Sequence, residues 1–390
     1  MPGEIFMLTP INYPQRISLI AREVEKLGLD AYVSTRMAGL HYLVGAFMPW
    51  TGAVIVTMSG ESRFVYWAMD FERVNEEGWG MDGIPFGGGN PDFLDSIIAV
   101  LDDMGVSRGK IGFDIALAGS AQAAPGVLSA HDWMELNKKM PKATLSNGMP
   151  ALEAVMLIKD KAEIERLRLA AASADAGFEA ALKCIRPGIT ENAVAGEVEA
   201  AIRLHGSIWA WSVTGGTEVG SGPRTAFFKG LTQQATERNI QNNEFVIVDL
   251  HPMVELYIAD LGLPIMLGTP TKEQQTLIDA WEDAVATVMD NLKPGTLAKE
   301  ACQKAYDKFG KYGVTEYSLP LFGHGLGTCA RQRPFMSTSS NDVMQEGMVL
   351  ALGGHLYQPG VGGCRQEYPI LITNKGAEAL CQHKNVVYRL

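Results

Sequence analysis

The sequence predicts a mixed α/β (α+β) chain in two parts: an α/β domain over residues 1–156 and a larger domain over 157–390. Three observations predict it. Helical and strand-like segments alternate through the first part, a pattern that packs helices on a sheet. The texture changes between residues 150 and 165, where a long Ala-rich helical segment begins. The second part then holds two similar blocks. In each, a long helix stops at Pro-Gly, a second helix stops at Gly, and strands follow, which reads as a duplicated ααβ unit.

In chain order, PQRISLIAREVEKL (14–27) has helical spacing and Gly28 stops it. DAYVST, AVIVTMSG and RFVYWAM read as strands. FGGGNPD (86–92) reads as a loop, and it lacks the GK[ST] and strand-to-helix context of a phosphate cradle. FLDSIIAVLDDMG, from 93, is an amphipathic helix and KIGFDIA a strand. One long helix is expected over 152–185, broken at Pro187-Gly188, with a second over ENAVAGEVEAAIRLHG. The echo runs from Glu273 through the break at Pro294-Gly295 to Gly313.

The 390 residues carry a formal charge of −11, which excludes nucleic acid and anionic membrane as main partners, because no basic excess could neutralise phosphates. Hydrophobic residues at 47% and charged residues at 20% describe a soluble globular protein. Cys184, Cys302, Cys329, Cys364 and Cys381 are odd in number and widely spaced, so a reducing, cytoplasmic setting is expected. The N-terminus has no signal-peptide pattern, and no apolar run reaches the length of a membrane span.

The chemistry-bearing residues lie in the second part. In 245-FVIVDLHPMVELYIAD-260, Asp249 and Asp260 end up on two adjacent strands. Two buried acids are expensive unless positive charge lies between them. His324 sits in the Gly-rich 322-FGHGLGTCARQRP-334, read as a turn. The segment 347-GMVLALGGHLYQPGVGGCRQEYPILIT-373 reads as two strands around a Pro/Gly loop, with Glu367 on the second. Alone, His324 is most simply a loop histidine and Glu367 an arginine partner. Together, Asp249, Asp260, His324 and Glu367 make an oxygen-rich ligand set suited to Mn, Fe, Co or Zn, as one or two divalent ions. The alternative is that cations neutralise the acids and no metal is held.

The order D-x10-D, GHGLG, then GMV…GG-x-R-x-E, with the helix–PG–helix repeats, resembles the methionine aminopeptidase/prolidase/creatinase superfamily over nearly the whole chain. The resemblance implies a C-terminal pita-bread domain of duplicated ααβ units, opening near 157-LIKDKAEIERLRLAA, after a smaller creatinase-type N-terminal domain. It also implies a homodimeric enzyme. In the family scheme Asp249 serves one metal, Asp260 and Glu367 bridge, and His324 completes the other with a glutamate that follows GMV after three intervening residues. Here that position is Gly353. His355, two positions on, faces the same way on a regular strand and is the candidate replacement, unless Gly353-Gly354 distorts the strand.

Two histidines with which the peptidases handle the scissile amide are also absent. One belongs near 220-GSGPRTAFFKG-230, which has no His, and the other falls at Arg331. Guanidinium and ammonium cannot copy a neutral imidazole at pH 7. Creatinases replace the first aspartate, which this chain keeps. The sulfoniopropionate lyases share S-G-P-R-T, here Ser221 to Thr225, but keep the glutamate. Arg224, Lys229 and Arg331 would place positive charge where peptidases have imidazole, which fits a carboxylate-bearing substrate. The same cations could instead be surface charges or partners of the acids. Trp209 and Trp211 alternate on one strand face, as packing or as an aromatic wall for a quaternary ammonium or sulfonium.

The expectation is a hydrolase of a C–N bond in a small carboxylate-bearing compound, with His324 and Glu367 as proton handlers or metal ligands. Its alternatives are a metal-dependent Xaa-Pro peptidase, a sulfonium-acid lyase and a non-catalytic binding protein.

Overall fold

The structure, a computed structural model, describes residues 8–115, 126–210, 216–229 and 234–390. The chain divides into two compact units, Pro10–Met156 and Leu157–Leu390, with Thr9 grouped with the second.

The N-terminal unit has strands β1 (Ala31–Ser34), β2 (Gly52–Thr57), β3 (Ser62–Trp67), β4 (Gly83–Phe86), β5 (Lys110–Phe113) and β6 (Thr144–Asn147). They form one mixed sheet in the order β4-β3-β2-β1-β5-β6. Its helices are α1 (Tyr13–Lys26), α2 (Met37–Val44), α3 (Phe71–Glu77), α4 (Phe93–Asp103), α5 (Ala130–Lys139) and α6 (Met149–Met156). Both faces of the sheet are covered, which explains why its strands are apolar at consecutive positions. Ile20 and Val24 of α1 pack with Tyr32, Val54 and Val56 on one face. Ile97 and Leu101 of α4 pack with Val33, Ile55 and Phe113 on the other.

The second unit opens with α7 (Lys161–Cys184) and α8 (Glu191–Leu204). The single helix expected over 152–185 is not there. Its first residues belong to α6, and Asp160 caps a new helix, accepting from Glu163 N–H while the Glu163 carboxylate accepts from Asp160 N–H. This reciprocal box satisfies two N–H groups that have no helical partner and fixes the start of α7. Then follow β7 (Trp209–Ala210), β8 (Glu218–Ser221), β9 (Glu244–Leu250), β10 (Pro252–Val254), β11 (Tyr257–Ile258) and β12 (Leu261–Leu267). The second block supplies α9 (Lys272–Asp290), α10 (Ala298–Lys311), β13 (Leu321–Gly325), β14 (Gln332–Ser337), β15 (Val349–Gln358) and β16 (Gly362–Thr373). β17 (Gly376–Ala379) and β18 (Tyr388–Arg389) end the chain.

The two blocks repeat in backbone detail. Gly188 and Gly295 both have φ +89°, which the glycine after each proline permits. Gly188 N–H donates to Ile240 O, and Gly295 N–H donates to Met344 O, both at 2.8 Å. The bridge Thr190–Asn239 in the first block answers Leu297–Val343 in the second. The duplication read from the sequence is therefore present as a repeated fold.

The main sheet runs β14-β13-β15-β16-β12-β9-β8, with β17 on β16 and β18 on β12. Its seam between the blocks is the antiparallel pair β12–β16. β10 and β11 form a small hairpin that separates β9 from β12 along the chain. Helix α9 seats on β15 through Trp281, whose indole N–H donates to Gly354 O at 3.1 Å. A Cβ at Gly354 would meet Val285 Cγ1 at 2.5 Å, so only glycine lets α9 approach this closely.

One fold feature makes the N-terminal unit acid-sensitive. His41 is buried, stacks on Phe47, and accepts at Nε2 from Met48 N–H at 3.1 Å. Burial lowers its pKa from 6.5 to about 4. The unfolded chain therefore takes the proton first. The stability due to neutral His41 is present above pH 6.5 and is lost as pH falls toward 4. The difference in thermal midpoint between wild type and His41→Gln should be largest near neutrality and shrink across that window. A difference constant with pH would refute this.

Candidate functional site

A single row crosses the main sheet at right angles to its strands. Glu218 lies opposite Asp249, Asp249 opposite Gly262, Gly262 opposite Glu367, and Glu367 opposite Gly353. Paired residues share a face, so three carboxylates of the row point the same way. Asp260, two before Gly262, joins that face from its strand end. Arg365 joins two before Glu367, and His324 joins from β13 opposite Ala351. Gly262 keeps the row open, since a Cβ there would come within 2.9 Å of Asp249 Oδ1.

All of these groups are buried: Asp249 is 0% exposed, Asp260 1%, Glu367 3% and His324 7%. His324 Nε2 lies 3.5 Å from Asp260 Oδ2 and 3.9 Å from Glu367 Oε2. Its Nδ1 is 3.2 Å from Gly325 O, which fixes the ring so that Nε2 faces the acids. Arg365 donates to Glu218 Oε2 at 2.8 Å, and its other terminal nitrogen is 2.7 Å from Asp249 Oδ2 and 3.5 Å from Glu367 Oε1.

His251 completes the cluster, and the sequence reading passed over it. Its Nε2 stands 3.1 Å from Asp260 Oδ1 and 3.9 Å from Asp249 Oδ2. Among the described residues two trios bring ligand atoms within 4.8 Å of one another: Asp249, His251 and Asp260, and Asp260, His324 and Glu367.

This donor set fits a divalent metal. Asp249 Oδ1, Asp260 Oδ1, His324 Nε2 and Glu367 Oε2 are buried with no hydrogen-bond partner, a state that costs free energy unless a cation answers it. Two atoms bound at about 2.1 Å to one ion stand about 3 Å apart at a right angle and about 4 Å apart in line. The separations of 3.1 to 3.9 Å between imidazole nitrogens and carboxylates fall in that range.

Without a cation the cluster answers its excess negative charge with protons. Burial raises the Asp249 carboxyl, and burial together with Asp260 raises Glu367. Burial works against a proton on His251, but Asp260 and Asp249 outweigh it and raise the imidazole to about 10. Burial also works against ionised Asp260, yet His251 beside it holds that group low. His324 is lowered to about 4 by burial and stays neutral, as a ligand must.

The remaining expected site residues divide. His355 lies on the unbroken β15–β16 register, so the glycine pair does not distort the strand. Its Nε2 is 3.0 Å from where a Cβ on Gly353 would stand, so its ring reaches the space beside the lost glutamate. It belongs to neither trio, and its Nδ1 is 3.0 Å from the Tyr357 hydroxyl. Arg331 is half-buried, and its charge acts on Asp260, His324 and Glu367. Arg224 is turned elsewhere: it donates to buried Glu191 at 3.1 Å and to Gln234 O at 2.6 Å. Lys229 ends a 3-10 turn, Gly222–Lys229, and its side chain lies outside the described residues, as do the Trp209 side chain and Trp211. His324 is on strand β13 rather than in a turn.

The sequence profile of metallopeptidase family M24 matches residues 165–374. The chain belongs to that family. It is thereby a hydrolase of the creatinase/prolidase type, and its buried acid and histidine groups could hold a divalent metal. An M24 relative, the Xaa-Pro dipeptidase of Pyrococcus horikoshii, is 27% identical over 94% of this chain and 96% of its own. The prolidase structure from the same organism superposes with a TM-score of 0.82 at 25% identity, over 95% of this chain and 99% of that one. The Xaa-Pro dipeptidase structure from Bacillus anthracis superposes at 0.83 over 97% of this chain and 100% of that one, at 24% identity, and shows the fold.

Arg365 touches three buried carboxylates, Glu218, Asp249 and Glu367, so removing it takes a contacting positive charge from all three. Arg365→Met should cost about 3–5 kcal/mol in metal-free denaturant unfolding. A loss below about 1 kcal/mol, the value of an exposed pair, would show that the acids do not depend on it.

Proposed function

We propose that this M24 protein hydrolyses a C–N bond in a small, carboxylate-bearing substrate, and that Xaa-Pro dipeptides, named for its relatives, are the first class to test. The observation that carries this reading is the convergence of unpartnered Asp249, Asp260, His324 and Glu367 atoms in one buried cluster. These four would hold a divalent ion, which when bound supplies an activated water and a Lewis acid. Without an ion, burial and Asp260 hold the Glu367 carboxyl above the usual range, so in that state it can take a proton. Arg331, half-buried beside the cluster, can grip a substrate carboxylate in two-point fashion. His355 would line the space left by Gly353 and contact the substrate there. A cytoplasmic homodimer goes with this reading; none of the five cysteines is joined in a disulfide, which suits a reducing compartment.

A second reading is favoured by one observation. The Arg365 guanidinium already stands between Asp249 and Glu367. In that case the acids and His324 act on the substrate directly, as in creatinase, without metal.

Elemental analysis of protein purified without chelator, with Xaa-Pro dipeptide hydrolysis on the same sample, separates the two. The first reading expects about one or two ions per chain, their loss in Asp260→Ala, and a fall in kcat of about 10²- to 10⁴-fold in Glu367→Gln, the range of acid–base catalysis. Dipeptide turnover that persists after complete metal removal would sink it. Small guanidino, ureido and betaine acids would then be the substrates to screen.

A further inference from the structure

We infer that His251 is a metal ligand, forming with Asp249 and Asp260 a cation site of its own beside the one made by Asp260, His324 and Glu367. This rests on the reading that the centre holds divalent metal, and it concerns how the donors are shared out.

Strand register puts His251 there. β9 and β12 pair with Leu250 opposite Leu261 and Asp249 opposite Gly262. One further step of the same register sets His251 opposite Asp260. The imidazole therefore meets the carboxylate across the mouth of the pair, 3.1 Å away, and reaches Asp249 at 3.9 Å. The 3.1 Å separation from Asp260 Oδ1 is that of two atoms sharing one ion at about a right angle. Asp249 Oδ1 and Asp260 Oδ1 of this trio are buried without a hydrogen-bond partner. Arg365 approaches Asp249 through Oδ2 and leaves Oδ1 open.

Gly353 lies on the His324 side of the centre. This chain has no donor there, and His355 stays outside both trios. The chain instead carries an imidazole on the opposite side. The result is two trios that share Asp260, each with one imidazole and one further carboxylate. An imidazole in place of an all-carboxylate set shifts preference from Mn²⁺ toward Co²⁺, Ni²⁺ and Zn²⁺.

The test uses the full chain, freed of metal by chelation and titrated separately with Co²⁺ and Mn²⁺ by calorimetry. Wild type should bind two Co²⁺ per chain. His251→Ala and His251→Gln should each lose one Co²⁺ or weaken it by about 10-fold or more, with a smaller effect on Mn²⁺. His355→Ala should keep both. Thermal midpoints of the metal-free forms show which variants remain folded, and the glutamine variant serves if alanine does not. Unchanged stoichiometry with an unchanged Co²⁺/Mn²⁺ ratio in both variants would make His251 a charge partner only and overturn the inference. One ion in wild type, lost in His324→Ala and kept in His251→Ala, would also overturn it while leaving the metal-hydrolase reading intact. No ion in wild type would remove that reading and the inference together.

Discussion

Four carboxylates buried on one face of one sheet, Glu218, Asp249, Asp260 and Glu367, set the terms for everything around them. Each costs several kcal/mol to bury without compensation. Arg365 touches three of them and Arg331 lies near two. That leaves a surplus of negative charge close to two units, which either protons or one divalent ion can meet. Much of the surrounding architecture serves this concentration of charge. The row Glu218–Asp249–Gly262–Glu367–Gly353 sets the acids side by side, and Gly262 keeps methyl groups from between them. Helix α9 closes tightly over the other side of β15 through Gly354 and Trp281.

The centre is asymmetric. Gly353 offers no donor on the His324 side, and His251 sets a ring nitrogen beside Asp249 and Asp260 on the other. The positive groups near the site are similarly uneven. Arg331 stays beside the cluster, whereas Arg224 is withdrawn to Glu191, which also accepts from Ser221 and Thr236. Ser221 and Arg224 of the S-G-P-R-T motif thus help build the framework under the site rather than the site itself.

How much of this could be read beforehand depended on whether the signal was local. The helix–PG–helix repeats were legible because proline, left-handed glycine and apolar spacing are properties of short segments. The four acid and histidine positions were legible because their motifs are short and ordered. The break at Asp160 was also local, in D-K-A-E, but the long apolar periodicity around it hid the cap. His324 read as a turn because its neighbours are glycines. Those glycines serve close strand contact instead: a Cβ at Gly323 would come within 2.0 Å of Ala351 O. His251 needed a register, since its closeness to Asp260 follows from hairpin pairing and not from any motif. The Arg224–Glu191 pair spans 33 positions and leaves no trace in either segment.

The seam between the two duplicated blocks has a mechanical consequence. Asp249, His251 and Asp260 come from the first block, and His324 and Glu367 from the second. The strands that join them, β12 and β16, meet where Gly262 faces Glu367. The Asp249–His251–Asp260 trio lies within the first block, whereas the Asp260–His324–Glu367 trio draws on both, so an ion held there would be tied to both halves. Such an ion is a staple across the seam. It would resist parting of the halves along this strand pair, so that the group responsible for chemistry would also set how rarely the sheet opens there.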